Sequence, residues 1–108
     1  EILRVDIHNA ITGSNQRWPT EIDTLCGGTL GIVEFFCEAA EAIDNSEVRD
    51  IAAQRLAAVV QAASLAGDYR WNSGKGRFNL GLFRGLAGIG YTLLRRIDDR
   101  LPNILIWE

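Results

Sequence analysis

Two thiols, one imidazole and a row of carboxylates are the groups in this chain whose types and spacing could do chemistry. Cys26 stands directly before Gly27 and Gly28, Cys37 follows 11 residues later, and His8 is the single histidine. Thiolate sulfur and imidazole nitrogen are the usual ligands of zinc, and a catalytic zinc takes three protein ligands with one position left open. Two cysteines and one histidine fall short of a self-contained metal cluster and of a disulfide framework. On a helix the spacing of Cys26 and Cys37 is about 16 Å along the axis, against zinc–sulfur bonds of about 2.3 Å, so the two cannot share an ion. His8 approaches Cys26 only if the first helix folds back over the Cys26 loop; beside an apolar stretch it reads as a surface or hydrogen-bonded residue.

The remaining candidates have plainer readings. Glu34, Glu38 and Glu41 fall at i, i+4 and i+7, a spacing that predicts one narrow wet stripe on a helix rather than a carboxylate site. Gly74-Lys75-Gly76 lacks the spacing of a phosphate loop and any following Ser or Thr. Trp18, Trp71 and Trp107 are expected to anchor loops to the core, with a peptide groove as the alternative use of three such rings. Cys26 itself reads either as a small buried apolar residue ahead of a helix or as a metal ligand.

Helices must position these groups. Residues 2–12 form a helix stopped by Gly13, and 13–25 form a connecting loop broken by Pro19. Residues 29–43 are apolar around most of the circumference, so they predict an inner helix with neighbours on several sides. After the capping residues Asp44-Asn45-Ser46, residues 47–66 carry a single apolar stripe and predict an outer helix, closed by Gly67. Residues 68–83, with turn chemistry at 72–76 and the alternation of Phe78, Leu80 and Leu82, predict a short hairpin. Helical spacing returns from Gly85 to Ile97, and the apolar tail from Pro102 to Glu108 is expected to dock.

Composition excludes several classes. With 108 residues, 47% apolar and 23% charged, the chain is one globular piece and not a disordered tail. Its net charge of −3 and scattered arginines offer no basic stripe for nucleic acid, and no apolar run reaches the roughly 20 residues of a membrane span. Few cysteines and no signal peptide point to the cytoplasm. Because it opens on Glu1 without a start signal, the sequence reads as a piece of something longer.

Gly28-Thr29-Leu30-Gly31-Ile32 and Gly85-Leu86-Ala87-Gly88-Ile89 share a Gly-x-x-Gly-Ile pattern 57 residues apart, each opening a largely apolar helix. Such self-similarity signals stacked helical units. Glycine costs roughly 1 kcal/mol inside a helix, so its repeated use there implies close approach of backbones.

Two segments resemble a known family. Ile22-Asp23-Thr24-Leu25-Cys26-Gly27-Gly28-Thr29-Leu30-Gly31, and Gly81-Leu82-Phe83-Arg84-Gly85-Leu86-Ala87-Gly88-Ile89-Gly90-Tyr91 with the later Leu101-Pro102-Asn103-Ile104-Leu105, are similar to the C-terminal part of the lanthionine cyclase-like domain of class II lanthipeptide synthetases. The resemblance implies an all-α fold, part of an α/α toroid of inner and outer helices joined by Gly-rich connectors, with residues 1–108 as one C-terminal segment. It implies a parent activity that adds cysteine thiols of a precursor peptide to dehydrated Ser or Thr, with zinc activating the thiol. On the family's paired-ligand motif Cys26 matches the first ligand and Gly28 the glycine, while Gly27 stands where the second Cys or His belongs.

The expectation is therefore a vestigial metal position at Cys26, with no catalytic residue assignable, no tight zinc binding by this chain alone, and the third ligand and acid/base groups upstream. Its partners would be the precursor peptide and the upstream remainder of the synthetase. The alternative is a non-catalytic helical-repeat module that binds a peptide on its concave face. An open arc of helices exposes apolar flanks, which predicts self-association or marginal stability.

Overall fold

The structure, a computed structural model, describes residues 2–71 and 78–106. Four helices make up its regular structure: α1 Ile2–Gln16, α2 Thr29–Ala42, α3 Ser46–Ala66 and α4 Leu86–Ile97. α2 is the hub and contacts the other three, as its nearly continuous apolar surface requires. Phe36 and Ala40 of α2, with Ile43 just beyond it, form one cluster with Val48 and Ala52 of α3, joined by Ile7 and Ile11 of α1. Leu30 of α2 meets Val59 of α3 and Ile89 of α4 in a second cluster. Phe36 is 1% exposed, and burying a side chain of that kind contributes about 3 kcal/mol. α1 and α3 thus share one side of α2, where Arg55 also donates to Asn15. α4 lies along another side. The result is an inner pair, α2 and α4, backed by the outer helices α1 and α3: part of a two-layer helical arc, all-α among the described residues. No helix among them is long and apolar enough to cross a membrane.

The ends of α3 follow local chemistry. The Asn45 side chain accepts from the amides of Glu47 and Val48 at 3.0 and 3.2 Å, satisfying two N–H groups that a helix start leaves unpaired. Gly67 closes the helix at φ 82° in the left-handed region, its amide bonded to the Ala63 carbonyl. A residue with a β-carbon is disfavoured there.

Three expectations need correction. α1 does not stop at Gly13 but runs on to Gln16, since nothing crowds Gly13 and the helix is closed instead by turn bonds from Arg17 to Ser14 and from Trp18 to Asn15. The hairpin is not formed among the described residues. Tyr69–Trp71 takes its backbone partner from Asp23, whose amide donates to the Arg70 carbonyl at 2.6 Å; Phe78, Leu80 and Leu82 are exposed, and the expected turn at 72–76, including Gly74-Lys75-Gly76, lies outside the described residues. The wet stripe is the third. Only Glu41 is fully exposed, whereas Glu34 is 1% exposed because α4 brings two arginines against it.

Candidate functional site

The chain enters α2 through a tight turn built on a buried carboxylate. Asp23 accepts from the Thr29 hydroxyl at 2.7 Å, from the Arg70 amide at 2.8 Å and from the Arg70 guanidinium at 2.8 Å. Burial pushes its carboxyl up, but the hydrogen bonds from Arg70 and Thr29 and the Arg70 charge outweigh this and hold it below the usual value. The Thr29 amide donates to the Ile22 carbonyl at 2.9 Å, and the Thr24 hydroxyl donates to the Cys26 carbonyl at 3.1 Å. Glycine is required by contact at two places: a β-carbon on Gly28 would collide with the Thr24 backbone, and one on Gly31 with the Leu25 carbonyl. Gly27 differs. Space around it is open, but its φ of 75° is left-handed, a conformation that costs other residues roughly 1–2 kcal/mol.

Cys26 sits at the tip of this turn as a free, exposed thiol, its amide donating to the Phe83 carbonyl at 2.7 Å. Its reading as a buried apolar residue is therefore overturned: the amide is held and the side chain is left outside. The thiol borders an open groove of about 450 Å³ whose other walls include Ser14, Arg17, Thr20, Ile32, Phe35 and Leu105. Apart from Cys26, no His, Cys, Asp or Glu lines it, and among the described residues no three such groups come together. One thiolate beside hydroxyls and a guanidinium is not a zinc donor set; the residues of this chain do not fit the metal by themselves.

The other candidates lie apart from that groove. His8 is exposed on α1 and does not line it. Cys37 is half-buried on α2 in a separate polar cleft with Glu38, Arg95 and Arg96. Burial pushes its thiol up; the Arg96 charge opposes this, and Glu34, Glu38 and Glu41 reinforce it, so Cys37 is a poor nucleophile. Trp18 lies under the Arg55 guanidinium at 4.6 Å, and the Trp71 indole donates to Asp68 at 3.0 Å; both tie loops down. Trp107 lies outside the described residues.

Sequence reasoning missed the groups that join the inner helices. Glu34 pairs with Arg95 at 3.2 Å and with Arg96 at 3.3 Å, and Arg95 reaches Glu38 at 3.3 Å. Burial alone would depress the Arg95 guanidinium, and the carboxylates reverse this. Asn103, 3% exposed, donates to Glu38 at 2.8 Å. A polar residue inside an otherwise apolar tail was the available signal for Asn103; for the Glu34 pair there was none beyond two arginines ending α4.

The family described as lanthionine synthetase C-like protein matches residues 3–106, extending the resemblance back through α1. Comparison with curated proteins and with solved structures finds no match.

Proposed function

This chain belongs to the lanthionine synthetase C-like family, and from that premise we propose that it forms one wall of a lanthionine cyclase-like cavity that receives a precursor peptide. The parent reaction is thioether formation by addition of cysteine thiols to dehydrated Ser or Thr, in the cytoplasm. In this reading Cys26 marks a vestigial ligand position, the chain holds no zinc tightly alone, and it performs no ring closure by itself.

One observation carries the reading: an exposed thiol faces an open groove, while the neighbouring position that should bear a second donor is a glycine in left-handed backbone. Zinc content by elemental analysis of the purified chain and of its Gly27→His variant tests it. The native chain is expected to carry well under one zinc per molecule. Stoichiometric zinc that survives dialysis against a weak chelator would overturn the vestigial assignment.

A second reading, a non-catalytic peptide-binding module, is favoured by the cleft of about 370 Å³ between α3 and the connectors, lined by Trp18, Pro19, Val59, Ala62 and Arg70. A peptide seated there would change Trp18 fluorescence, whereas one in the Cys26 groove would slow Cys26 alkylation. Exposed Ile2, Leu3, Leu94 and Ile97 support self-association of the isolated chain, to be read as a concentration-dependent sedimentation coefficient.

A further inference from the structure

The segment Leu101–Ile106 follows α4 and reaches α2, and it is held by its polar groups. The Tyr91 hydroxyl donates to the Pro102 carbonyl at 2.6 Å, and Arg95 donates to the Leu101 carbonyl. Asn103 bonds twice, donating its amide to Glu38 at 2.8 Å and accepting from the Leu105 amide at 3.0 Å. Exposure confirms which groups dock: Asn103 is 3% exposed, Leu105 39% and Ile106 47%. A tail docked by apolar burial would show the reverse order.

The same segment borders both thiols. Leu101, Pro102 and Ile106 line the cleft that contains Cys37, and Leu105 lines the groove that contains Cys26. We infer that Leu101–Ile106 is a strap latched to α2 through Asn103 and Glu38, which covers Cys37 and presents Leu105 in the Cys26 groove as an apolar contact for an entering side chain. Asn103 acts through the strap and is a positioning residue. That the groove receives a peptide rests on the function proposed above; that the strap covers Cys37 does not.

The latch is tested on the full chain by iodoacetamide labelling, with each thiol followed separately by mass spectrometry and helical circular dichroism recorded in parallel. Asn103→Ala is expected to speed Cys37 labelling by about fivefold or more with the helical signal kept, because reaction follows access to the thiol. Leu105→Ala leaves the latch intact and should leave the Cys37 rate unchanged. An unaltered Cys37 rate in Asn103→Ala, or an equal rise in Leu105→Ala, would overturn the latch. Should Asn103→Ala lose its helical signal, the native chain decides: a latched strap slows exchange of the Leu105 amide about tenfold or more relative to an unprotected amide, and unprotected exchange overturns it. No peptide enters these measurements, so failure of the peptide reading and failure of the strap are distinguishable.

Discussion

The two connectors that open α2 and α4 have the same backbone and opposite chemistry. In the first, the Thr29 amide donates to Ile22 at 2.9 Å; in the second, 57 residues on, the Leu86 amide donates to Asn79 at 3.0 Å. Gly28 and Gly85 occupy the same extended position before each helix, and Gly31 and Gly88 each press against the carbonyl of the leucine six residues earlier. The contacts of the side chains differ. The first turn buries Asp23 and Thr24 and presents Cys26, whereas the second has Leu80, Gly81 and Phe83 there and exposes both apolar residues. The turns also meet each other, through the bond from the Cys26 amide to the Phe83 carbonyl. A duplicated backbone therefore sets where a site can lie, and a handful of side chains decides which copy carries it.

Separating the two units should have the largest effect. Arg95→Ala leaves Glu34 with Arg96 alone in a buried setting, and is expected to cost about 4 kcal/mol in a denaturant melt; a loss below about 1 kcal/mol would mean that the inner helices are held together without this pair. Next come Gly31→Ala and Gly88→Ala, each forcing a methyl into a backbone carbonyl, at about 3 kcal/mol apiece. Equal losses would support equivalent units, and a large loss at only one would break the equivalence.

Asp23→Leu writes the second connector's residue into the first. It leaves the Thr29 hydroxyl and Arg70 without their acceptor and should cost about 2 kcal/mol. The same residue sets an acid limit. Its folded-state pKa is lowered, so its contribution is complete above the ordinary carboxylate value of about 3.9 and disappears as pH falls through the lower folded value. Native protein should therefore lose stability over that acid range more steeply than Asp23→Leu.

The smallest effects separate glycines kept for conformation from those kept for nothing visible. Gly27→Ala meets open space at a φ of 75° and should destabilise by about 1 kcal/mol. Gly90→Ala, inside α4 with nothing within 4 Å of the added carbon, should instead stabilise by about 1 kcal/mol. Thermal melts of the pair check the opposite signs.

Much of the scaffold was legible because it is written locally. Asn45 and Gly67 carry the ends of α3 in their own side-chain and backbone preferences, and the paired Gly-x-x-Gly-Ile segments announce two helix starts where backbones crowd. The candidate site was legible in part: Cys26 and Gly27 stand in the motif, but burial of the one was an open alternative, and the exposed thiol follows from its amide being claimed by Phe83. Glu34 was misread because periodicity assigns a charged residue to water unless a distant partner is known, and its partners lie 61 and 62 residues away. The tail was expected to dock, and it does so through Asn103 rather than through its leucines and isoleucines.

By themselves the residues determined helix positions, most caps, the duplicated glycine framework and the single thiol that could have belonged to a metal site, because each depends on neighbours within a few positions along the chain. Only the tertiary structure decided that Asp23 ties two connectors together, that Glu34 is buried between arginines, and that Asn103 holds a strap across α2. Those are pairings between groups far apart in sequence. Their energies exist only once desolvation and distance are set by the folded packing.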